Sequence, residues 1–293
     1  MIDTELDTTT RWQLTAPESL VLRDGPHAKP AEVVKLALLE LVARRALRLV
    51  EVETRGLFGR RGTEVVIGTG SQAAPADGPL GPVATLALDA KAHTYPDGTV
   101  GIGLRSFAMT CAARFGRPPR LYIDRWVLPA LVERGLYTRI DRKVLGVVPQ
   151  TSWALTGEGE LARHRLQELT TTAEHEVDDW AERDPARLAR FLATAGGAAL
   201  LVPAAYPAFE AFATRLAAQP DDAAWMGALV ATMMVPADSS PSGHPDVGGF
   251  DVSALSFDFS SIAGLDGAFG GFDAGFSDGG ASSGGDGGGS SAT

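Results

Sequence analysis

Cysteine occurs once, as Cys111, so the chain can form no internal disulfide. The thiol lies in the apolar run Phe107 to Phe115, which suits a buried structural cysteine in a reducing compartment. Lysine is scarce, and only Lys29, Lys35, Lys91 and Lys143 accompany the arginines. Aromatic residues make up 7% of the chain. The first ten residues are polar and acidic, which excludes the basic and apolar segments of a secretory signal, and a cytoplasmic location is the expectation. No nucleophile elbow, P-loop or paired-cysteine metal site occurs, and Gly101-Ile102-Gly103 lacks the third glycine of a nucleotide loop. The residues therefore carry no catalytic motif and call for no cofactor.

From Pro236 to Thr293 there is neither lysine nor arginine, while eight aspartates occur among glycine and serine. Such a segment has too little apolar surface to offset the chain entropy lost on ordering, and it reads as a disordered tail. Six phenylalanines punctuate it: Phe250, Phe257, Phe259, Phe269, Phe272 and Phe276. Spaced rings on a flexible chain suit either weak, repeated contacts with protein partners or no more than a solubilising spacer, since such a composition is disordered in both cases. Most of the net charge of -10 belongs to this tail, so the rest of the chain is close to neutral. The organisation expected is a disordered N-terminus over 1–11, a folded domain over 12–235 and the tail over 236–293.

Within the folded part the patterning is mainly helical with small β-hairpins. Thr15 to Val21 reads as an apolar lead-in. A helix is expected from Pro30 to Arg45, followed by strands at Ala46–Glu53 and Thr63–Ile67 around a glycine-rich turn. Further helices are expected at Val83–His93, Ser106–Phe115, Leu121–Arg134, where Pro129 either kinks the helix or starts a new turn, and from Thr156 through Leu169. Val144 to Trp153 reads as extended. Asp184 is placed to cap the most apolar helix, Leu188–Val202, and helices at Ala208–Ala218 and Ala223–Val235 complete the domain. The uncharged run Phe191 to Phe209 is interrupted by Gly196, Gly197, Pro203 and Pro207 and suits the protein core better than a membrane.

Two basic stretches stand out. Arg114, Arg117 and Arg120 surround a Pro-Pro turn, with Arg125 just beyond; forked guanidinium groups there suit phosphate or anionic headgroups, or the stretch is a solubilising loop whose arginines pair with acids elsewhere. The turn Arg55 to Arg61 places Phe58 at an apolar tip beside Arg60 and Arg61, a pattern suited to a membrane interface or a nucleic-acid backbone. His164 and His175, with Glu168, Glu176 and Asp179 nearby, would share a helix face, but a solvated charged face is expected there rather than a metal site.

Several segments then resemble one family. Glu18-Ser19-Leu20-Val21-Leu22, Leu38-Leu39-Glu40-Leu41-Val42-Ala43-Arg44, Leu131-Val132-Glu133-Arg134-Gly135-Leu136 and Val144-Leu145-Gly146-Val147-Val148-Pro149 are similar in order and spacing to the Golgi phosphoprotein family, bacterial members included. Trp180 and Asp184-Pro185 extend the likeness, which covers most of residues 12–218. The resemblance implies a mainly α-helical fold with a central apolar helix among amphipathic ones, and peripheral binding to membrane phosphoinositides as in eukaryotic members. The family's headgroup-contacting Trp and helix Arg fall on Gly25 and Val34, and its two later Arg fall on Leu121 and Asp124; Lys35, Arg120 and Arg125 lie one position away.

Together these features lead to the expectation of a non-enzymatic peripheral membrane or adaptor protein at the inner face of the cell membrane. It would use Lys35, Arg114, Arg117, Arg120 and Arg125 on anionic headgroups. The alternative is a winged-helix-like DNA-binding regulator that brings the Ala31–Arg45 helix or the Arg55–Arg61 turn to phosphates.

Overall fold

The computed structural model describes residues 14–55, 61–90, 92–144, 148–209 and 211. The expected N-terminal segment, the tail and the helices beyond Phe209 lie outside the described residues, as does the hairpin tip with Phe58 and Arg60.

The fold is mainly α-helical with small antiparallel sheets, in this order: α1 Ala16–Asp24, α2 Pro30–Ala43, β1 Leu47–Arg55, β2 Arg61–Thr69, α3 Gly81–Asp89, β3 His93–Thr94, β4 Val100–Gly103 and α4 Leu104–Phe115. There follow α5 Arg120–Tyr122, a π-helical turn Ile123–Val127, α6 Leu128–Glu133, β5 Tyr137–Val144, β6 Val148–Leu155, α7 Gly157–Arg183 and α8 Pro185–Ala195. Strands β1 to β4 form a sheet of order β1-β2-β4-β3, and β5 and β6 a separate hairpin.

The segment expected as an apolar lead-in is instead the helix α1. It opens on a capping box in which the Thr15 hydroxyl accepts from the Glu18 N–H while the Glu18 carboxylate accepts from the Thr15 N–H at 2.8 Å. Residues Ala16 to Leu22 are all buried. The central helix is α2, where every residue from Val33 to Ala43 except Lys35 is buried. It packs against α1, α3 and α5. The run Leu188–Val202, expected as one helix, breaks at Gly196, where φ is +51°, and continues as 3-10 turns Gly196–Leu201 and Pro203–Ala205. Among the described residues no helix is long and apolar enough to cross a membrane.

Pro129 does not break its helix. Its ring has no N–H and would crowd the carbonyl four residues back, and the preceding turn is widened, the Leu128 N–H bonding the Ile123 carbonyl. The stretch expected to be extended supplies β6, Val148–Leu155, and its partner Tyr137–Val144 is a strand that the patterning does not announce. Asp184 caps α8 as expected, its carboxylate accepting from the Arg187 N–H at 3.0 Å.

The chain uses one design twice. Helices α1 and α2 lead into the hairpin β1–β2, and α4 and α5–α6 lead into β5–β6. The two junctions share a hydrogen-bond scheme: Arg45 N–H to Val42 and Ala46 N–H to Leu41 in the first, Gly135 N–H to Val132 and Leu136 N–H to Leu131 in the second. Both need a residue in the left-handed region, Arg45 at φ +56° and Gly135 at φ +74°. Glycine takes that conformation freely, whereas a residue with a Cβ is strained by about 1 kcal/mol. Arg45→Gly is therefore expected to stabilise the protein by about 0.5 to 1 kcal/mol. Gly135→Ala should destabilise it by a similar amount, and urea titration of the two variants measures both.

Candidate anionic-surface site

Helix α4 ends at Gly116, where φ is +93°, and the Arg117-Pro118-Pro119 turn redirects the chain into α5. What holds this corner is aromatic. Phe115 packs on Tyr122 with ring centroids 5.3 Å apart and on Trp126 at 5.4 Å, and the buried Tyr122 hydroxyl donates to the Pro79 carbonyl at 2.6 Å. Burial, helped by the Glu40 and Glu18 charges, holds the Tyr122 phenol well above its ordinary pKa, so it stays a donor.

The fold brings the loop after α1 onto the same corner. Arg120 donates to the Pro26 carbonyl and pairs with Asp124 at 3.0 Å. Arg120 thus ties the two segments together. A guanidinium that already holds a carbonyl and a carboxylate keeps fewer donors for the headgroup role expected of it. Arg114, Arg117 and Arg125 are exposed around it, and Lys35 is half-buried on the first turns of α2. Leu121, 43% exposed, lies between Arg117 and Arg125 along the chain. Of the four positions to which the resemblance assigns headgroup contacts, Val34 is fully buried and Asp124 is ion-paired, so neither offers a cation to a ligand. Gly25 and Leu121 do lie on the corner.

At the hairpin, Arg61 begins β2, opposite Arg55. The histidines of the charged helix are both on α7, and eleven residues place them about 16 Å apart along its axis, too far to share an ion. Two of their acidic neighbours are engaged elsewhere, Glu176 holding the Trp180 indole N–H at 3.0 Å and Arg187 at 2.8 Å and Asp179 pairing with Arg183, while Glu168 lies 3.3 Å from His164. Cys111 is buried, and burial pushes its thiol well above the ordinary value, so it carries no reactive thiolate.

Two groups of functional character were not found from sequence. Glu18 and Glu40 are both fully buried; Arg134 reaches Glu18 at 2.8 Å, and Arg44 reaches Glu40 at 2.6 Å. Thr15 followed by Glu18 is a legible capping signal, and Glu40 is the single charge in the run Leu36 to Ala43. The second is a cleft of about 780 Å³ between the four-stranded sheet and α4, with Glu64 and Tyr95 on its wall. Comparison with protein-family models, curated proteins and solved structures finds no match to this chain.

Proposed function

We propose that the protein is a non-enzymatic, peripheral membrane-binding protein that lays the corner between α4 and α5 on anionic lipid headgroups, in the manner implied by its resemblance to the Golgi phosphoproteins. The observation that carries this reading is the exposed Leu121 flanked by the exposed Arg117 and Arg125, with Arg114 on the adjoining end of α4. An exposed apolar side chain with exposed cations four residues to either side in the chain suits the interfacial layer, where the apolar group enters the acyl boundary and the guanidinium groups meet phosphates. The DNA-binding alternative has less support through its helix, because α2 is packed inside the core from Val33 onward, which leaves that reading to the Arg55–Arg61 turn.

Flotation with phosphatidylcholine vesicles, with and without an anionic lipid, tests the reading. The wild type should float only with the anionic vesicles. Each basic residue near such a surface contributes about 1 kcal/mol, so reversing Arg114, Arg117 and Arg125 to Glu should abolish flotation. Arg120→Ala should mainly lower stability, since its work is internal. Flotation unaffected by the triple reversal would sink the proposal, as would a wild type that ignores charge.

A further inference from the structure

The cleft beside the four-stranded sheet has a construction unrelated to the basic corner. Strand β2 pairs with β4 only at Val66–Gly103 and Ile67–Ile102, because the chain turns into α4 at Leu104. Glu64, two residues before Val66, pairs with Val52 of β1 and on its other side meets the strand-to-helix junction instead of a β4 partner. A Cβ on Gly103 would fall 1.9 Å from the Glu64 Oε1 and 3.4 Å from the Tyr95 hydroxyl. The carboxylate thus occupies the space that Gly103 leaves by having no side chain. The Tyr95 hydroxyl donates to Glu64 Oε2 across 3.5 Å, a long contact that leaves most of the carboxylate's acceptor capacity open.

Hydrogen-bond accounting sets what the cleft can accept. The hydroxyls of Thr54 and Thr110 donate to the carbonyls of Gly62 and Ser106, and Tyr95 donates to Glu64, so each presents a lone pair to the cleft. Glu64 adds a negative charge, and among the described residues no ion pair neutralises it. The walls also have apolar surface in Ile102 and Pro96, and two rings, His93 and Tyr95, packed edge to face with centroids 5.1 Å apart. The volume lies in the range of small-molecule sites. An acceptor-rich lining with one uncompensated carboxylate and aromatic faces is complementary to a donor-rich cation with an apolar body.

We propose that this cleft binds a small organic primary amine, its ammonium donating to Glu64 and its carbon skeleton lying against Ile102, Pro96 and the two rings. One carboxylate is too few ligands for a tightly held metal ion, whereas an ammonium needs only one charged acceptor and neutral lone pairs.

The test is an NMR titration of the full chain with phenethylamine and, in parallel, with 2-phenylethanol, which has the same skeleton and a hydroxyl in place of the ammonium. The amine should saturate at millimolar concentration, shifting signals of His93 and Tyr95, and the alcohol should bind at least about tenfold more weakly, as expected for loss of a charge-assisted hydrogen bond. Glu64→Gln should weaken the amine by about tenfold and leave the alcohol unchanged. Gly103→Ala keeps the charge but displaces the carboxylate, and it should weaken the amine similarly; thermal melts of both variants verify folding. Equal binding of amine and alcohol, amine binding indifferent to Glu64→Gln, or no saturation with either probe would each overturn the proposal.

Discussion

Glu40→Ala should cost the protein about 3 kcal/mol or more of stability, read as a drop in the urea midpoint with an unchanged slope. Glu40 joins the start of α1 to the end of α2. Its Oε2 accepts from the Ala16 N–H at 2.6 Å, which satisfies one of the free donors at the start of α1, and its Oε1 accepts from Arg44 at 2.6 and 3.0 Å at the end of α2. Alanine would leave a buried N–H without an acceptor and a void in a close-packed centre. Arg44 is 45% exposed and can rehydrate, which limits the penalty.

The pH dependence has a definite sign. Burial pushes the Glu40 carboxyl above its ordinary value of 4.5, against the pull of Arg44 and the Ala16 N–H. Between 4.5 and the higher folded value the native state holds a proton that the unfolded chain has released. Stability therefore falls as pH rises through that window, at up to about 1.4 kcal/mol per pH unit, and the stabilising contribution is complete below 4.5. Asp97, bonded by the Thr99 N–H and hydroxyl, and Asp141, bonded by Thr151 and Arg139, are held below 3.8 and act in the opposite direction only at more acidic pH. Glu40→Gln should flatten the slope above pH 4.5. A slope identical to the wild type would show that another group titrates there.

Local signals were readable wherever one segment decides its own structure. The Asp184 cap, the Pro30 start of α2 and the β1–β2 hairpin depend on turn chemistry and short-range periodicity, and each was anticipated within a few residues. Features that need two distant segments were not. Glu40 reads as an ordinary helix glutamate until Ala16 is set against it. Arg120 reads as a surface cation until the Pro26 carbonyl arrives from the α1–α2 loop. The hidden duplication was legible in principle: Leu38, Leu41, Val42 and Arg44 recur as Leu128, Leu131, Val132 and Arg134. Pro129 and the differing hairpins obscure it. In both copies the arginine after the helix grips a buried carboxylate, Arg44 on Glu40 and Arg134 on Glu18, so the repeated sequence supplies the two clamps around α1.

Gly197→Ala probes the same centre from its other side, and it should cost about 2 to 4 kcal/mol. Gly197 is the second residue of the 3-10 turn that packs on α1. A Cβ there would stand 2.4 Å from the Ala16 nitrogen, 2.8 Å from the Thr15 carbonyl carbon and 3.0 Å from Glu40 Oε2. Two of these are backbone atoms of a capped helix start, which cannot swing aside as a flexible side chain does. Either the turn retreats from α1 or the Ala16–Glu40 bond opens, and both remove close packing. The neighbouring Gly196 supplies the control: at φ +51° with no atom within 4 Å of its Cβ position, its replacement by alanine meets backbone strain without a clash and should cost only about 1 kcal/mol. Because Gly197 and Glu40 share Ala16, their effects should not add. In the Glu40→Ala background the carboxylate is gone and the Ala16 N–H is already unbonded, so the second substitution has less left to break. The double variant should fall short of the sum by about 1 kcal/mol. Chemical denaturation of the four proteins closes the cycle, and strict additivity, or a Gly197→Ala variant as stable as the wild type, would contradict the coupling of turn, helix start and buried carboxylate.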